Sequence, residues 1–171
     1  MKYTEEMILH SPSGYCMPFE EENNKEVTLS TGYGEQQDAL TGETYFHHGI
    51  TFNAHHRPLV AVASGTVSGI GNDKGRGLYL IIRYGKYEVT YAGLSNLFVR
   101  FGQAVKAGQT VAVSGNDLYM EVSFAGEELN PIEFLTMLYG NIQALRKAGH
   151  EAAYEFVGFD GEMKTKYDRD K

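Results

Sequence analysis

Several features that mark common protein classes are scarce or missing in this sequence. The single cysteine, Cys16, excludes an internal disulfide and a Cys-x-x-Cys metal site. No basic or metal-binding residue lies near Cys16 in sequence, so we interpret it as an ordinary buried thiol. No window approaches the run of about 18 apolar residues that a transmembrane helix needs, so no membrane span is expected.

Positive charge is also scarce. The chain has 15 Lys and Arg residues against 22 Asp and Glu residues, for a net charge of −7. The basic residues are scattered rather than clustered, which argues against a nucleic-acid-binding surface. Acidic residues stand near the N-terminus where a signal peptide would be apolar. As written the chain is expected in the cytoplasm, or in the cell envelope or outside the cell if a signal segment precedes Met1.

The composition favours one strand-rich domain. A chain of 171 residues is long enough to bury its own core, and 42% of its residues are hydrophobic. Twelve tyrosines, nine phenylalanines and twenty glycines favour strands that are separated by tight turns.

Short apolar runs between glycines predict antiparallel strands. Residues 78–84 and 87–92 flank Gly85 and Lys86, which predicts a hairpin. Residues 59–63 and 66–70 predict two strands joined tightly at Ser64 and Gly65. Further strands are expected at 27–29, 118–124 and, at an edge, 154–159.

One helix has clear start and stop signals. Asn130 is a suitable N-cap, Pro131 suits the first helical position, and Glu133 follows the cap by three residues. Apolar residues then repeat at helical spacing until Gly149. The acidic run that begins at Glu20 is expected to form a surface loop, and the charged tail at 161–171 is expected to fray.

Three motifs follow one another in a characteristic order. They are His-x-Gly-x-Thr at 47–51, Tyr-Ala-Gly-Leu-Ser at 91–95, and Asp-x-Tyr-x-Glu-Val at 117–122. Together with Thr41-Gly42, the 58–67 segment, Gly102-Gln-x-Val-Lys-Ala-Gly-Gln109 and Asn130-Pro131, they resemble the lysostaphin/LytM-type zinc peptidases, which cut peptide bonds in bacterial peptidoglycan.

The resemblance implies a mainly β, LytM/lysostaphin-like domain in which an antiparallel sheet forms the floor of a peptide-binding groove. It covers residues 30–136, which leaves 1–29 as an N-terminal extension. Residues 137–171 would be the remainder of the C-terminal helix and a tail packed on the same domain.

The resemblance also implies a zinc site, but this sequence lacks most of the family's zinc ligands. Family members hold zinc with the His and Asp of His-x-Gly-x-Asp and the second His of His-x-His. His47 matches the first ligand, but Thr51 and Tyr119 stand at the other two positions. A hydroxyl is a poor substitute for a carboxylate, and a phenol is protonated near neutral pH. One good ligand of three remains, so no cofactor is expected.

The family's two other reactive histidines are replaced as well, by Gly93 and Asp117. Without zinc, Asp117 would face a water whose pKa is about 15.7 rather than about 7. The sequence therefore predicts that the hydrolytic mechanism is absent and that no catalytic residue is retained. An alternative is a zinc metalloendopeptidase with rearranged ligands, drawn from His47, His48, His55, His56, Asp117 and Glu121.

A binding function is the leading prediction from the sequence. Tyr45, Tyr91 and Tyr119 are candidates to line the groove, since an aromatic face with a polar tip suits a peptide or a sugar. Tyr119 would also fill the space at the former ligand position. The predicted partners are a peptide, a peptidoglycan fragment or a protein. A purely intracellular interaction module is the third possibility.

Overall fold

The computed structural model describes residues 7–20 and 27–147. Within these ranges it contains eleven strands and one helix. The strands are β1 Thr28–Thr31, β2 Gly34–Gln37, β3 Thr44–His47, β4 Ile50–Asn53, β5 Pro58–Val60, β6 Gly65–Asp73, β7 Gly77–Tyr84, β8 Tyr87–Leu97, β9 Ala104–Val105, β10 Thr110–Phe124 and β11 Glu127–Leu129. Helix α1 is Pro131–Lys147.

The main sheet has the order β1-β4-β10-β8-β7-β6-β9, and β5 and β11 also pair with β10. Every strand pair is antiparallel. Strands β2 and β3 form a separate hairpin. The prediction of a mainly β fold with a C-terminal helix is confirmed. The predicted strand at 154–159, the predicted frayed tail and most of the acidic run after Glu20 lie outside the described residues.

The predicted hairpin at 78–92 is confirmed as β7 and β8. Successive side chains along these strands point to opposite sides, so the main sheet has two different faces. One face is the core, with Leu80, Val89 and Met120 fully buried. The other, which we call the open face, carries Thr51, Asn53, Tyr79, Glu88, Thr90, Tyr119, Glu121 and Ser123, all partly exposed.

The predicted tight connection at Ser64 and Gly65 is wrong as a hairpin. Strand β5 pairs with β10, whereas β6 pairs with β7 and β9. Between them the backbone leaves the sheet, because Ala61 exchanges hydrogen bonds with Gly108 and Gln109, and the Val62 amide donates to the Tyr84 hydroxyl. A buried crossing therefore replaces a surface turn.

The segment at 7–20, which belongs to the predicted N-terminal extension, is part of the domain core. Met7, Cys16, Met17 and Phe19 are all buried. The Tyr87 hydroxyl donates to the Met7 carbonyl, and the Cys16 amide donates to the Val62 carbonyl. Apolar burial and backbone hydrogen bonds thus join this part of the N-terminal extension to the sheet. Cys16 is buried as predicted, and burial raises the pKa of its thiol.

Helix α1 begins as predicted. The Asn130 side-chain oxygen accepts a hydrogen bond from the Ile132 amide at 2.9 Å, and the Asn130 carbonyl accepts one from Glu133. The helix buries Phe134, whose ring contacts Tyr84 and Tyr87 on the sheet. In the described residues, no helix has the length and apolarity to cross a membrane.

Removing the helix cap is expected to lower stability moderately. Asn130→Ala leaves the Ile132 amide without its side-chain acceptor, at a cost of about 1 kcal/mol. For a chain of this size, that corresponds to a fall of about 2–4 °C in melting temperature, measurable by calorimetry. Asn130→Asp, which keeps the acceptor, serves as the control and should stay near the wild-type value.

Candidate functional site

Four strands of the open face place one row of side chains side by side. Thr51 on β4 is the register partner of Tyr119 on β10. Tyr119 is also the partner of Ala92 on β8, and Ala92 is the partner of Tyr79 on β7. Directly paired residues point to the same face, about 5 Å apart per strand. The row therefore gathers two of the predicted site positions.

His47 lies over the Thr51 end of this row. Its Nδ1 atom is 2.9 Å from the Gly32 carbonyl oxygen, and its Nε2 atom is 3.4 Å from the Thr51 hydroxyl. Because a carbonyl only accepts, Nδ1 carries the proton and Nε2 is left as the acceptor. A backbone carbonyl on the far nitrogen is the arrangement that orients a metal-binding histidine. In this chain the Nε2 atom of His47 faces the Thr51 hydroxyl.

Tyr119 fills the space next to His47. The two ring centroids are 5.3 Å apart, and the Tyr119 hydroxyl donates to Glu121 at 2.6 Å. Burial raises the pKa of the Tyr119 phenol, and the hydrogen bond to Glu121 raises it further. Tyr119 is therefore protonated at neutral pH. Ala92, its neighbour in the row, is only 2% exposed, so side chains cover the centre of the row.

The donors gathered here do not fit a zinc ion. The position holds one imidazole nitrogen, a neutral alcohol and a neutral phenol, whereas zinc in proteins takes imidazole, thiolate or carboxylate ligands. Within 7–20 and 27–147, no three His, Cys, Asp or Glu side chains form a group that could hold a metal.

Gly93 and Asp117 lie at the edge of this region, and both are exposed. Gly93 has φ +77°, a conformation that side chains rarely adopt. A Cβ atom there would lie 3.3 Å from the Asp117 carbonyl oxygen. Asp117 pairs in register with Asn53. The local backbone thus disfavours any side chain at the position where the family resemblance places a histidine.

The three groove tyrosines have different positions. Tyr45 is 46% exposed, and its ring centroid is 6.4 Å from that of His47. Tyr119 lies on the open face. Tyr91 is fully buried and its hydroxyl is 2.9 Å from that of Tyr84, so its assignment to the groove is wrong. Tyr91 is the register partner of Met120, and both point into the core.

The other histidines considered for a rearranged metal site, His48, His55 and His56, do not join His47. His48 lies 2.8 Å from the Glu128 carboxylate, which also accepts from Tyr33 at 2.6 Å. That second hydrogen bond raises the pKa of Tyr33 to about 12. His55 and His56 are exposed in the loop after β4, with φ 57° and 55°. They lie in an exposed loop.

A cavity of about 240 Å³ lies one residue pair further along the open face. Its lining comes from β8, β10, β11 and the turn that joins β10 to β11, and consists of Glu88, Thr90, Glu121, Val122, Ser123, Gly126 and Glu128. Glu121 connects this cavity to Tyr119 through their hydrogen bond. This concave surface is therefore next to Tyr119, not over it.

Sequence reasoning missed a cation beside the row. The guanidinium of Arg76 lies 3.7 Å from the centroid of the Tyr79 ring and is bonded through Nε and Nη2 to Asp73. The Arg76 carbonyl accepts the Gly93 amide at 3.0 Å. Asp73 raises the pKa of Arg76 most, with a contribution from the charge of Glu121. The Asp-x-x-Arg-x-x-Tyr spacing across a turn was the available signal.

Comparison with known proteins gives one family and several partial relatives. The model of Peptidase family M23 matches residues 45–131. A Haemophilus influenzae protein described as an uncharacterized metalloprotease is 34% identical over 103 residues, which are 54% of this chain and 22% of that protein. The murein hydrolase activator NlpD of Escherichia coli K12 is 34% identical over 85 residues, which are 45% of this chain and 22% of NlpD.

A solved structure shows the same fold over a larger share. A chain of the SpoIIQ–SpoIIIAH pore-forming complex superposes with a TM-score of 0.61 at 21% identity, and the alignment covers 81% of this chain and 99% of that one. The match to each of the two sequence relatives spans only 22% of that protein's length. The fold likeness therefore extends beyond the residues that sequence comparison aligns.

Proposed function

This chain belongs to peptidase family M23, and because Thr51 and Tyr119 stand beside its retained histidine, we propose that it is a non-catalytic member which binds a peptide on its open face. The observation that carries the proposal is the donor set around His47. With one imidazole nitrogen, one neutral alcohol and one protonated phenol, the position has too few good ligands to hold the zinc that would activate a water.

Two features, a cavity on the open face and an exposed aromatic ring next to His47, support a binding role. The cavity beside Glu121 is concave, polar and lined by three strands, which suits hydrogen bonding to an extended peptide. Tyr45 adds a half-exposed aromatic surface next to His47. These two features support peptide binding without the reactive groups of the family.

Two of the similar proteins support regulation or assembly rather than hydrolysis. NlpD is named as an activator of murein hydrolases, and the SpoIIQ–SpoIIIAH structure is named as a complex. The Haemophilus influenzae relative, in contrast, is named as a metalloprotease. A peptide-binding role for this chain agrees with the first two names, and the third makes a direct test of hydrolysis necessary.

The test combines metal analysis, cleavage and binding. After incubation with zinc and removal of excess metal, we expect far less than one zinc per chain and no chelator-sensitive cleavage of peptidoglycan peptides. A peptidoglycan-type tetrapeptide, L-Ala-γ-D-Glu-L-Lys-D-Ala, is expected to bind and to shift amide resonances of β8 and β10. An active family member assayed in parallel controls for substrate quality. Stoichiometric zinc with chelator-sensitive cleavage would establish the rearranged metallopeptidase instead.

A further inference from the structure

The turn between β6 and β7 lies at the edge of the open face, next to Tyr79 and Gly93. This turn carries Asp73, Lys74 and Arg76, and so has a net charge of +1 in a chain whose net charge is −7. It is fixed to the neighbouring strand because the Gly93 amide donates to the Arg76 carbonyl. The turn therefore presents a cation at the Gly93 position of the groove.

Arg76 is held in one orientation by contacts on two sides. Asp73 accepts from Nε at 3.0 Å and from Nη2 at 2.8 Å, and it also accepts from the Arg76 amide at 2.7 Å. The Tyr79 ring lies against the guanidinium, at 3.7 Å. An arginine that is already fixed loses less side-chain entropy when it binds a ligand than a free one does.

Tyr79 in turn depends on glycine in β6. A Cβ atom at Gly71 would overlap the Tyr79 hydroxyl, so the ring lies directly across the Gly71 backbone. Tyr79 and Gly71 are register partners. The stack of Gly71, Tyr79 and Arg76 forms a wall at the β6 side of the open face, opposite His47 and Tyr119.

The guanidinium keeps donors for a ligand. It has five N–H groups, and its hydrogen bonds to described residues, both to Asp73, use Nε and Nη2. The Nη1 donors and the second Nη2 donor are left for another acceptor. Arginine is suited to carboxylates because its planar fork matches their two oxygens.

We propose that Arg76 is the carboxylate-recognition residue of the open face, which binds the C-terminal carboxylate of a peptide ligand beside the Gly93 position. The inference rests on the proposed peptide-binding function and adds a ligand class to it. The rest of the peptide then runs along the row toward the cavity at Glu121, where a cationic side chain meets carboxylates. The site selects a free peptide terminus over an internal stretch of chain.

The test compares the free acid and the C-terminal amide of L-Ala-γ-D-Glu-L-Lys-D-Ala, titrated into the full chain by calorimetry. Wild type is expected to bind the free acid about tenfold more tightly than the amide. Arg76→Gln should bind both equally, at about the wild-type affinity for the amide. Arg76→Lys should retain part of the preference, because the charge is kept but the fork is lost.

Arg100→Gln is the matched control, since Arg100 is an exposed arginine in the connection between β8 and β9. It should keep the tenfold preference. Melting curves of each variant separate folding defects from binding defects. Both probes keep the α-carboxylate of D-Glu and differ only at the C-terminus. If wild type binds acid and amide equally, or if Arg76→Gln keeps the preference, the assignment of Arg76 to the C-terminal carboxylate is overturned while peptide binding stands. If neither peptide binds, the proposed function fails, and the carboxylate assignment fails with it.

Discussion

Thr51→Asp combined with Tyr119→His is expected to convert the open face into a zinc site that binds about one metal per chain. Thr51 and Tyr119 are register partners on β4 and β10, so the new side chains would start from Cα atoms about 5 Å apart. The Thr51 hydroxyl already lies 3.4 Å from Nε2 of His47. Three ligands of the right chemistry would then face one point.

The existing contacts of His47 favour zinc binding by the double variant. Its Nδ1 proton is committed to the Gly32 carbonyl, which leaves Nε2 directed toward Thr51. At a free zinc concentration about a hundredfold above Kd, the metal would add about 2.7 kcal/mol of stability. Atomic absorption on dialysed protein gives the stoichiometry, and melting curves with and without chelator give the stabilisation.

The triple variant that also carries His47→Ala is the control for this prediction. It keeps both new side chains but removes the oriented nitrogen, and it should lose the zinc-dependent stabilisation. Cleavage is not expected from the double variant, because Gly93 and Asp117 still occupy the family's reactive positions. A double variant that binds no more zinc than wild type would show that His47 is not available as a ligand.

Gly49→Ala is expected to destabilise the fold strongly, by about 3 kcal/mol. Gly49 is buried immediately before β4, and a Cβ atom there would overlap the Met120 carbonyl oxygen and lie 3.0 Å from the Met120 carbonyl carbon. Both obstacles belong to the backbone of β10, which is paired on both sides and has little room to move. The glycine of the His-x-Gly motif is therefore required because the backbone of β10 comes too close to leave room for a side chain.

Chemical denaturation measures the size of this loss. A cost of about 3 kcal/mol corresponds to a fall of roughly 6–12 °C in melting temperature for a chain of this length. Gly140→Ala is the matched control, because Gly140 lies exposed in α1 and a Cβ atom there meets nothing within 4 Å. That variant should gain up to about 1 kcal/mol. Equal stability of the two variants would contradict the steric account.

Local signals predicted the elements that local interactions form. The hairpin of β7 and β8 follows from alternation around Gly85 and Lys86, and α1 follows from the Asn130 cap. His47 was assigned by its motif, and the structure places it beside Thr51 and Tyr119. In each case the determining residues lie within one element or within one recognisable motif.

The sequence-based predictions are wrong where a residue's position depends on the direction of its side chain or on a contact with a distant part of the chain. Tyr91 was assigned to the groove from its motif, although Thr90 and Glu88 alternate with it and face the open side. Arg76 was missed because its location depends on the hydrogen bond from Gly93, seventeen positions later in the sequence. The crossing at Ala61 depends on Gly108 and Gln109 in the same way.

The burial of residues 7–20 has a consequence for how this domain is delimited. Met17 and Phe19 on one side of the family match at 45–131, and Phe134 and Leu138 on the other, belong to the same apolar cluster as the sheet. A fragment cut at the borders of the match would expose Tyr84 and Tyr87, which now contact Phe134. The segment recognised by sequence comparison is therefore smaller than the folding unit. If recombination moved residues 45–131 alone into another protein, their apolar core would be left exposed to solvent.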